Sequence, residues 1–396
     1  MGRMLSRVAL RGSLSQVRHL SPVRPRAARG LVADVYAQAE RDFGMLAPPV
    51  ILHSPAPEVL AACWTLLRES LLADGAVPRA VKEAVATEVS AGNACPYCVD
   101  VHRETLRGLA GEGRGALRSG PVGDGRAGAR SGPAAGGPDA AWPGLARAAA
   151  WARAAGTRDT AVRPPLHDGH VRELTAVAVT FHYLNRMVNV FLGDSPLPPH
   201  VPPGARGPAM RLLGLLMRPA ARRPVVPGQS RTLLPVASLP ADLAWARGTP
   251  YLEGAFARAA AAIEEGGRRS APGPVRELLA ATLEDWDGRP AGLGRGWAAE
   301  AASALPPAQR PAGRLALLTA LASYQVDEEV VGEFLRAQAR ERVFRTGPGE
   351  RAPRAESGER ALVELTAWAS LAAARRAGAW LPSAPQDREP APSVPR

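Results

Sequence analysis

The sequence predicts a soluble, all-α fold, and three observations support this prediction. Of its 396 residues, 46% are hydrophobic, which is enough to build a core. The apolar residues recur mostly with helical spacing, whereas the alternating runs typical of strands are hard to find. No run approaches the roughly 18 apolar residues that a membrane-spanning helix needs. The chain is therefore expected to be a soluble helical protein.

The first two predicted helices have clear end signals. Residues 57–72 and 78–92 each begin with a proline, which is favoured in the first turn of a helix, and the second closes on Gly92. Helical spacing of apolar residues continues in eight later segments. These further predicted helices are 98–110, 145–155, 173–192, 254–265, 274–283, 314–322, 328–342 and 359–377.

Segments rich in glycine, proline and arginine divide the chain between these helices. With 40 glycines and 39 prolines, a good part of the length is expected in loops and linkers. The segments expected on this basis are a disordered basic leader (1–30), a helical domain (31–195) with a flexible insertion (111–141), a Pro/Arg-rich linker (196–240), a second helical domain (241–377) and a disordered tail (378–396).

The net charge of +12 is concentrated in two segments rather than spread over a folded face. Residues 1–33 hold seven arginines and no acid, and residues 196–250 hold seven arginines against the single Asp242. Solvated connectors explain this pattern better than an anionic partner, so neither nucleic acid nor a membrane is expected as a partner. Three cysteines and no export signal indicate a reducing, cytoplasmic location.

One short motif combines chemistry with suitable spacing. Cys95, Cys98 and His102 stand at i, i+3 and i+7, so a helix beginning at Cys95 presents all three on one face. The helix start is expected to favour thiolate and to lower a cysteine pKa, and His102 is in position to accept the thiol proton. A carboxylate on the preceding helix would orient the imidazole. Glu83 and Glu88 are both candidates, and their spacing does not choose between them.

A metal site is the main chemical alternative. Both cysteines and His102 are possible zinc ligands, but a fourth ligand is absent from the neighbourhood. It would have to come from Cys63, His167, His170 or His182. A Cys-x-x-Cys pair that closes reversibly to a disulfide is therefore preferred to a zinc site or to inert cysteines, and no bound metal or cofactor is expected.

Residues 83–102, EAVATEVSAGNACPYCVDVH, resemble the core motif of the alkylhydroperoxidase D and carboxymuconolactone decarboxylase superfamily. In that motif a glutamate on one helix precedes a Cys-x-x-Cys-x-x-x-His that opens the next. The flanking helices are also similar, over most of 31–195. The resemblance implies an alkylhydroperoxidase D-like helical fold and a thiol-dependent peroxidase. It further implies that Cys98 becomes the sulfenic acid, that Cys95 is proton donor and resolving thiol, and that Glu83 and His102 relay protons.

The resemblance also implies partners and alternatives. A hydroperoxide would be the substrate, a dithiol or lipoyl-bearing protein the reductant, and a homo-oligomer the assembly. A catalytically drifted assembly or binding protein of the same superfamily, or an enzyme similar to carboxymuconolactone decarboxylase, remains an alternative. The second helical domain is expected to be a degenerate copy of the first. The alignment behind this pairs Arg314 with Glu83, Val326 with Cys95, Glu329 with Cys98 and Glu333 with His102.

Overall fold

A computed structural model describes residues 16–110, 145–158, 168–198, 201–346 and 354–381. Every regular element in these ranges is helical, which confirms the predicted all-α class. The α-helices are α1 (Gly30–Asp42), α2 (Pro48–Ile51), α3 (Pro57–Leu67), α4 (Arg79–Gly92), α5 (Pro96–Ala110), α6 (Leu145–Ala154), α7 (Asp168–Phe191), α8 (Pro203–Ala221), α9 (Pro250–Ser270), α10 (Gly273–Asp285), α11 (Gly296–Ala302), α12 (Arg310–Leu321), α13 (Glu328–Thr346) and α14 (Arg354–Gly378). A π-helical turn, Arg68–Leu72, extends α3.

The proline signals mark helix starts. Pro57 is the first residue of α3, and Pro78 is the N-cap residue of α4 with an extended backbone. Helix α4 ends at Gly92, and Ala94 then adopts a left-handed φ of 49°. Within this turn the Cys95 N–H donates to Ser90 O at 3.0 Å, and the Cys95 carbonyl accepts from Val99 N at 3.1 Å. The turn therefore fixes Cys95 at the start of α5.

Helix α7 lies in the interior and contacts both halves of the chain. It packs against α4 from the first half of the chain and against α14 from the second. Helices α3 and α9 make a second long contact between the halves. Buried apolar side chains from both halves belong to one continuous core. The two predicted helical bodies thus share an interior, and their division into domains stays a prediction.

The segment expected to be a linker contains α8. This helix packs along α5 so closely that a Cβ atom added to Gly214 would lie 2.7 Å from the Glu104 carbonyl oxygen. The chain after α8 is also tied down, because buried Glu69 accepts from Gly228 N and from Ser230 Oγ, each at 2.6 Å. Residues 203–234 are therefore folded onto the first half.

Part of the predicted leader is structured as well. Leu20 is buried, the Arg18 N–H donates to Phe191 O at 2.8 Å, and Tyr36 donates to Val23 O at 2.8 Å. Apolar side chains at positions 17, 20 and 23 explain why this stretch packs on the core. Residues 1–15, the insertion 111–141 and residues 382–396 lie outside the described residues. Among the described helices, none is both long and apolar enough to cross a bilayer.

Candidate active site

The turn between α4 and α5 places both cysteines of the motif in the interior. Cys95 is fully buried and Cys98 is 4% exposed, and both are free thiols. The Cys98 thiol interacts with the Cys95 thiol and with the side chain of Asn185 on α7. The structure therefore joins the two cysteines to a third polar group, which lies some ninety residues away in the sequence.

The environment of Cys98 raises the pKa of its thiol. Burial is the largest influence and raises the pKa of the Cys98 thiol well above its usual value, and the neighbouring Cys95 adds to this. The hydrogen bond from Asn185 acts in the opposite direction but is the smaller effect. For Cys98, the prediction of a lowered pKa at the helix start is therefore wrong, because a thiolate here would lose its hydration.

Glu83 and His102 form a direct pair between α4 and α5. The His102 Nδ1 donates to Glu83 Oε2 at 2.6 Å, and the other carboxylate oxygen accepts from Arg79 Nε and Nη2, both at 2.7 Å. Since Nδ1 is the donor, Nε2 is the ring nitrogen that can accept a proton. Sequence reasoning missed Arg79, although its position four residues before Glu83 on a helix was a usable signal.

The two candidate glutamates have different surroundings. Burial acts to raise the pKa of Glu83, but Arg79 and His102 outweigh it and hold that pKa below its ordinary value. Glu83 is therefore ionised at neutral pH. Glu88 instead bonds the largely exposed Arg153 at 2.8 Å, so it lies on another side of α4.

An apolar cavity of about 310 Å³ lies beside these groups. Cys98, His102 and Tyr97 form its polar end, and Tyr97 donates to Gln16 Oε1 at 3.3 Å. The His102 ring packs edge-on against Phe181, with 4.6 Å between ring centroids. The remaining lining is largely apolar and includes Leu184 and Val188 of α7 and Leu213 and Met217 of α8. Cys95 does not line the cavity, so only one of the two thiols faces it.

A polar network stabilises the turn between α4 and α5, which we call the cysteine turn. Asn93 donates to Asn185 Oδ1 at 3.0 Å, and Asn185 donates to Ser90 Oγ at 3.0 Å. Buried Arg186 donates to Asn93 Oδ1 at 3.3 Å and to the Ala320 carbonyl at 2.7 Å. Ala320 belongs to α12, so the second half of the chain completes the support of the site.

His182 belongs to this network rather than to the cavity. Its Nδ1 lies 3.1 Å from Asn93 Oδ1. Burial, helped by Arg186, lowers the pKa of His182 to about 3, so the ring is neutral. His182 is therefore a hydrogen-bonded histidine of the core.

Among the described residues, the alternative zinc ligands form no metal-binding group with the cysteine pair. Cys63 is buried elsewhere, 3.9 Å from the Pro49 carbonyl, and burial raises its pKa. His167 lies outside the described residues. Within the described part of the chain, no group of three or more His, Cys, Asp or Glu side chains is arranged to hold a metal ion.

The second half carries an ion pair at the positions that the predicted duplication aligns with Glu83 and His102. Arg314 on α12 bonds Glu333 on α13 at 2.7 Å, and these residues are 19 apart, as Glu83 and His102 are. In both halves a hydrogen-bonded pair that includes a glutamate thus joins two consecutive helices. This observation supports the duplication, which stays a prediction.

Comparison with known proteins gives a consistent result. The model of the carboxymuconolactone decarboxylase family matches residues 57–115, which contain Glu83, both cysteines and His102. A curated protein of Mycobacterium tuberculosis named alkyl hydroperoxide reductase is 36% identical over 371 residues, covering 93% of this chain and 96% of the relative. No solved structure matches the chain. The chain belongs to the carboxymuconolactone decarboxylase family and is similar to its alkylhydroperoxidase D-like members.

Proposed function

We propose that this protein is a thiol-dependent peroxidase that reduces hydroperoxides through Cys98 and Cys95. The observation that carries the proposal is the asymmetry of the thiol pair: Cys98 faces the apolar cavity together with His102, and Cys95 contacts Cys98 from the buried side. A substrate in the cavity reaches one thiol, and the second is in place to react with the product of the first. The name of the mycobacterial relative agrees with this chemistry.

The proposed reaction has two chemical steps. Cys98 loses its proton to His102, and the thiolate attacks the terminal oxygen of the hydroperoxide; the O–O bond breaks, an alcohol leaves with a proton from the relay, and Cys98 becomes a sulfenic acid. The Cys95 sulfur then attacks the Cys98 sulfur, and a disulfide forms as the hydroxyl leaves as water with the Cys95 proton. Two thiols are oxidised for each hydroperoxide reduced.

Glu83, His102 and Arg79 suit the proton transfers of this cycle. Because the pKa of the Cys98 thiol is raised, the reaction needs a base at the moment of attack. Ionised Glu83 accepts from His102 Nδ1 at 2.6 Å and so stabilises the imidazolium that forms when Nε2 takes the proton. Arg79 fixes the carboxylate from the other side. Glu83 and Arg79 thus act as positioning residues for His102.

A reductant must reopen the disulfide after each turnover. A dithiol does this by thiol–disulfide exchange, and a lipoyl-bearing protein is the proposed donor. The described residues show no groups arranged for a metal, and the proposed cycle uses only side chains and the external dithiol. Association into a homo-oligomer and a cytoplasmic location complete the proposal.

Peptide mass spectrometry of the reduced protein, before and after one equivalent of cumene hydroperoxide, tests the reaction. We expect the peptide that contains Cys95 and Cys98 to lose two hydrogens within seconds. Cys98→Ser should abolish this loss, and Cys63→Ser, which removes a buried thiol outside the cavity, should preserve it. If both thiols stay reduced after minutes of exposure, the protein is not a peroxidase of this kind.

One observation favours a second candidate. The strong burial of Cys98 and its raised pKa also suit a protein whose thiols are inert and whose helical fold serves binding or assembly. Such a protein would leave both thiols reduced in the same experiment while keeping its fold. The cumene hydroperoxide result therefore separates the two functions.

A further inference from the structure

Helix α8 exposes an unusual amount of apolar surface. Leu212, Leu215 and Leu216 are 56%, 58% and 67% exposed, and their spacing of i, i+3 and i+4 places them on one face of the helix. The opposite side of α8 is buried against α5 or lines the cavity through Leu213 and Met217. We call Leu212, Leu215 and Leu216 the leucine face.

Positive charge borders the leucine face. Five arginines and no acidic residue lie between positions 203 and 223. Arg211, Arg218 and Arg222 follow each other at i, i+7 and i+11, so they form a row along one flank of the face. In the part of the chain that the structure describes, none of the five pairs with a carboxylate. The charge is therefore available to an external anion.

Apolar side chains bordered by arginines that have no carboxylate partner among the described residues are the pattern of a helix that lies in the plane of a membrane interface. A second copy of the chain fits less well, because it would bring two sets of five arginines together. On an anionic membrane, the headgroups neutralise the arginine row, and the outer part of the acyl chains covers the leucines. One lipid surface therefore accounts for both the charge and the exposed apolar side chains.

We propose that α8 binds the protein to an anionic lipid surface, with the leucine face in the boundary between headgroups and acyl chains. This departs from the interpretation of the Arg-rich segment as a solvated connector without a membrane partner. The cavity beside Cys98 lies directly behind α8, which forms one of its walls. This step rests on the proposed peroxidase function. The substrates would then be hydroperoxides of membrane lipids, whose apolar chains leave the bilayer at α8 and enter the cavity behind it.

Vesicle flotation of the full chain tests the surface. We expect wild type to float with phosphatidylcholine vesicles that contain about 30 mol% phosphatidylglycerol, and to do so less as salt is raised. The double variant Leu212→Glu, Leu216→Glu should lower the bound fraction by about tenfold or more. Leu293→Glu is the matched control, since it places the same charge at a fully exposed leucine outside α8, and it should bind as wild type does. Absence of wild-type binding, or equal binding of the double variant, overturns the proposal.

Two further measurements separate this inference from the peroxidase proposal and from self-association. The rate with phospholipid hydroperoxide in anionic vesicles, divided by the rate with cumene hydroperoxide in solution, should fall in the double variant and stay constant in Leu293→Glu. Inactivity toward both substrates with intact vesicle binding refutes the peroxidase alone. If sedimentation shows a wild-type dimer that the double variant dissociates, and wild type does not float, the leucine face is a contact between copies and the lipid proposal fails.

Discussion

Substituting Glu83 by glutamine should destabilise the protein far more than the same change at Glu88 on the same helix. The Glu83 carboxylate accepts three contacts of 2.6 to 2.7 Å from Arg79 and His102 and is fully buried. Charge-assisted hydrogen bonds contribute about 1.5–3 kcal/mol each, and glutamine keeps the shape and one acceptor. Since breaking a buried pair costs about 3–5 kcal/mol, we expect Glu83→Gln to lower the free energy of unfolding by about 2–4 kcal/mol.

Glu88→Gln is the matched control, because the Arg153 side chain that it contacts is 69% exposed. A surface pair of this kind contributes about 0–1 kcal/mol. Urea unfolding of both variants and wild type, followed by tryptophan fluorescence at pH 7, gives the comparison.

The pH dependence provides a second arm for the same variants. The pKa of folded Glu83 lies below its ordinary value of 4.5, so the stability it contributes is complete above about pH 4.5 and is lost as the pH falls through the folded pKa. The gap between wild type and Glu83→Gln should therefore still be present at pH 5 and close in stronger acid. If Glu83→Gln and Glu88→Gln differ by less than about 0.5 kcal/mol at pH 7, the view of Glu83 as a buried ionised group is refuted.

Three other predictions concern packing and accessibility. Gly214→Ala should lower stability by about 1–3 kcal/mol, because its Cβ would meet the Glu104 backbone oxygen at 2.7 Å; Gly204→Ala, on the same helix with nothing within 4 Å, should leave the thermal midpoint unchanged or slightly higher. Iodoacetamide should alkylate Cys98 slowly at pH 7 and much faster above pH 9, since burial raises the thiol pKa above 9.0; fast labelling at pH 7 in peptide mass spectra would contradict this. Lys82, the single lysine, is 1% exposed; an amine-reactive ester should therefore label only the amino terminus of the native chain and a second site after unfolding, and native labelling of Lys82 would show that α4 opens.

Local patterns in the sequence were sufficient for much of the site. The i, i+3, i+7 spacing placed Cys98 and His102 on one helix with Cys95 at its start, although Cys95 does not line the cavity with them, and the resemblance singled out Glu83 as a candidate. All ten predicted helices overlap helices of the structure. These features depend on residues close in sequence, where helix geometry is nearly the only constraint.

Features set by tertiary contacts were not predictable in the same way. Helix α8 contains Pro208 and Pro219, which argue against a helix by propensity, and close packing against α5 compensates for them. The contact of Asn185 with Cys98 joins distant segments, and the burial that raises the Cys98 pKa depends on α7 as well. The direction of a pKa shift follows from the whole environment of a group, whereas the helix start is only one part of it.

Arg186 donates to the Ala320 carbonyl, and Asn189 donates to Ser323 Oγ at 3.0 Å. These contacts affect how the site responds to protein concentration. A site whose supporting wall is a separate subunit comes apart on dilution. Here the wall is tethered to the cysteine turn by the same polypeptide, so its effective concentration is fixed by chain connectivity. The specific activity of the proposed peroxidase should consequently change little between nanomolar and micromolar protein.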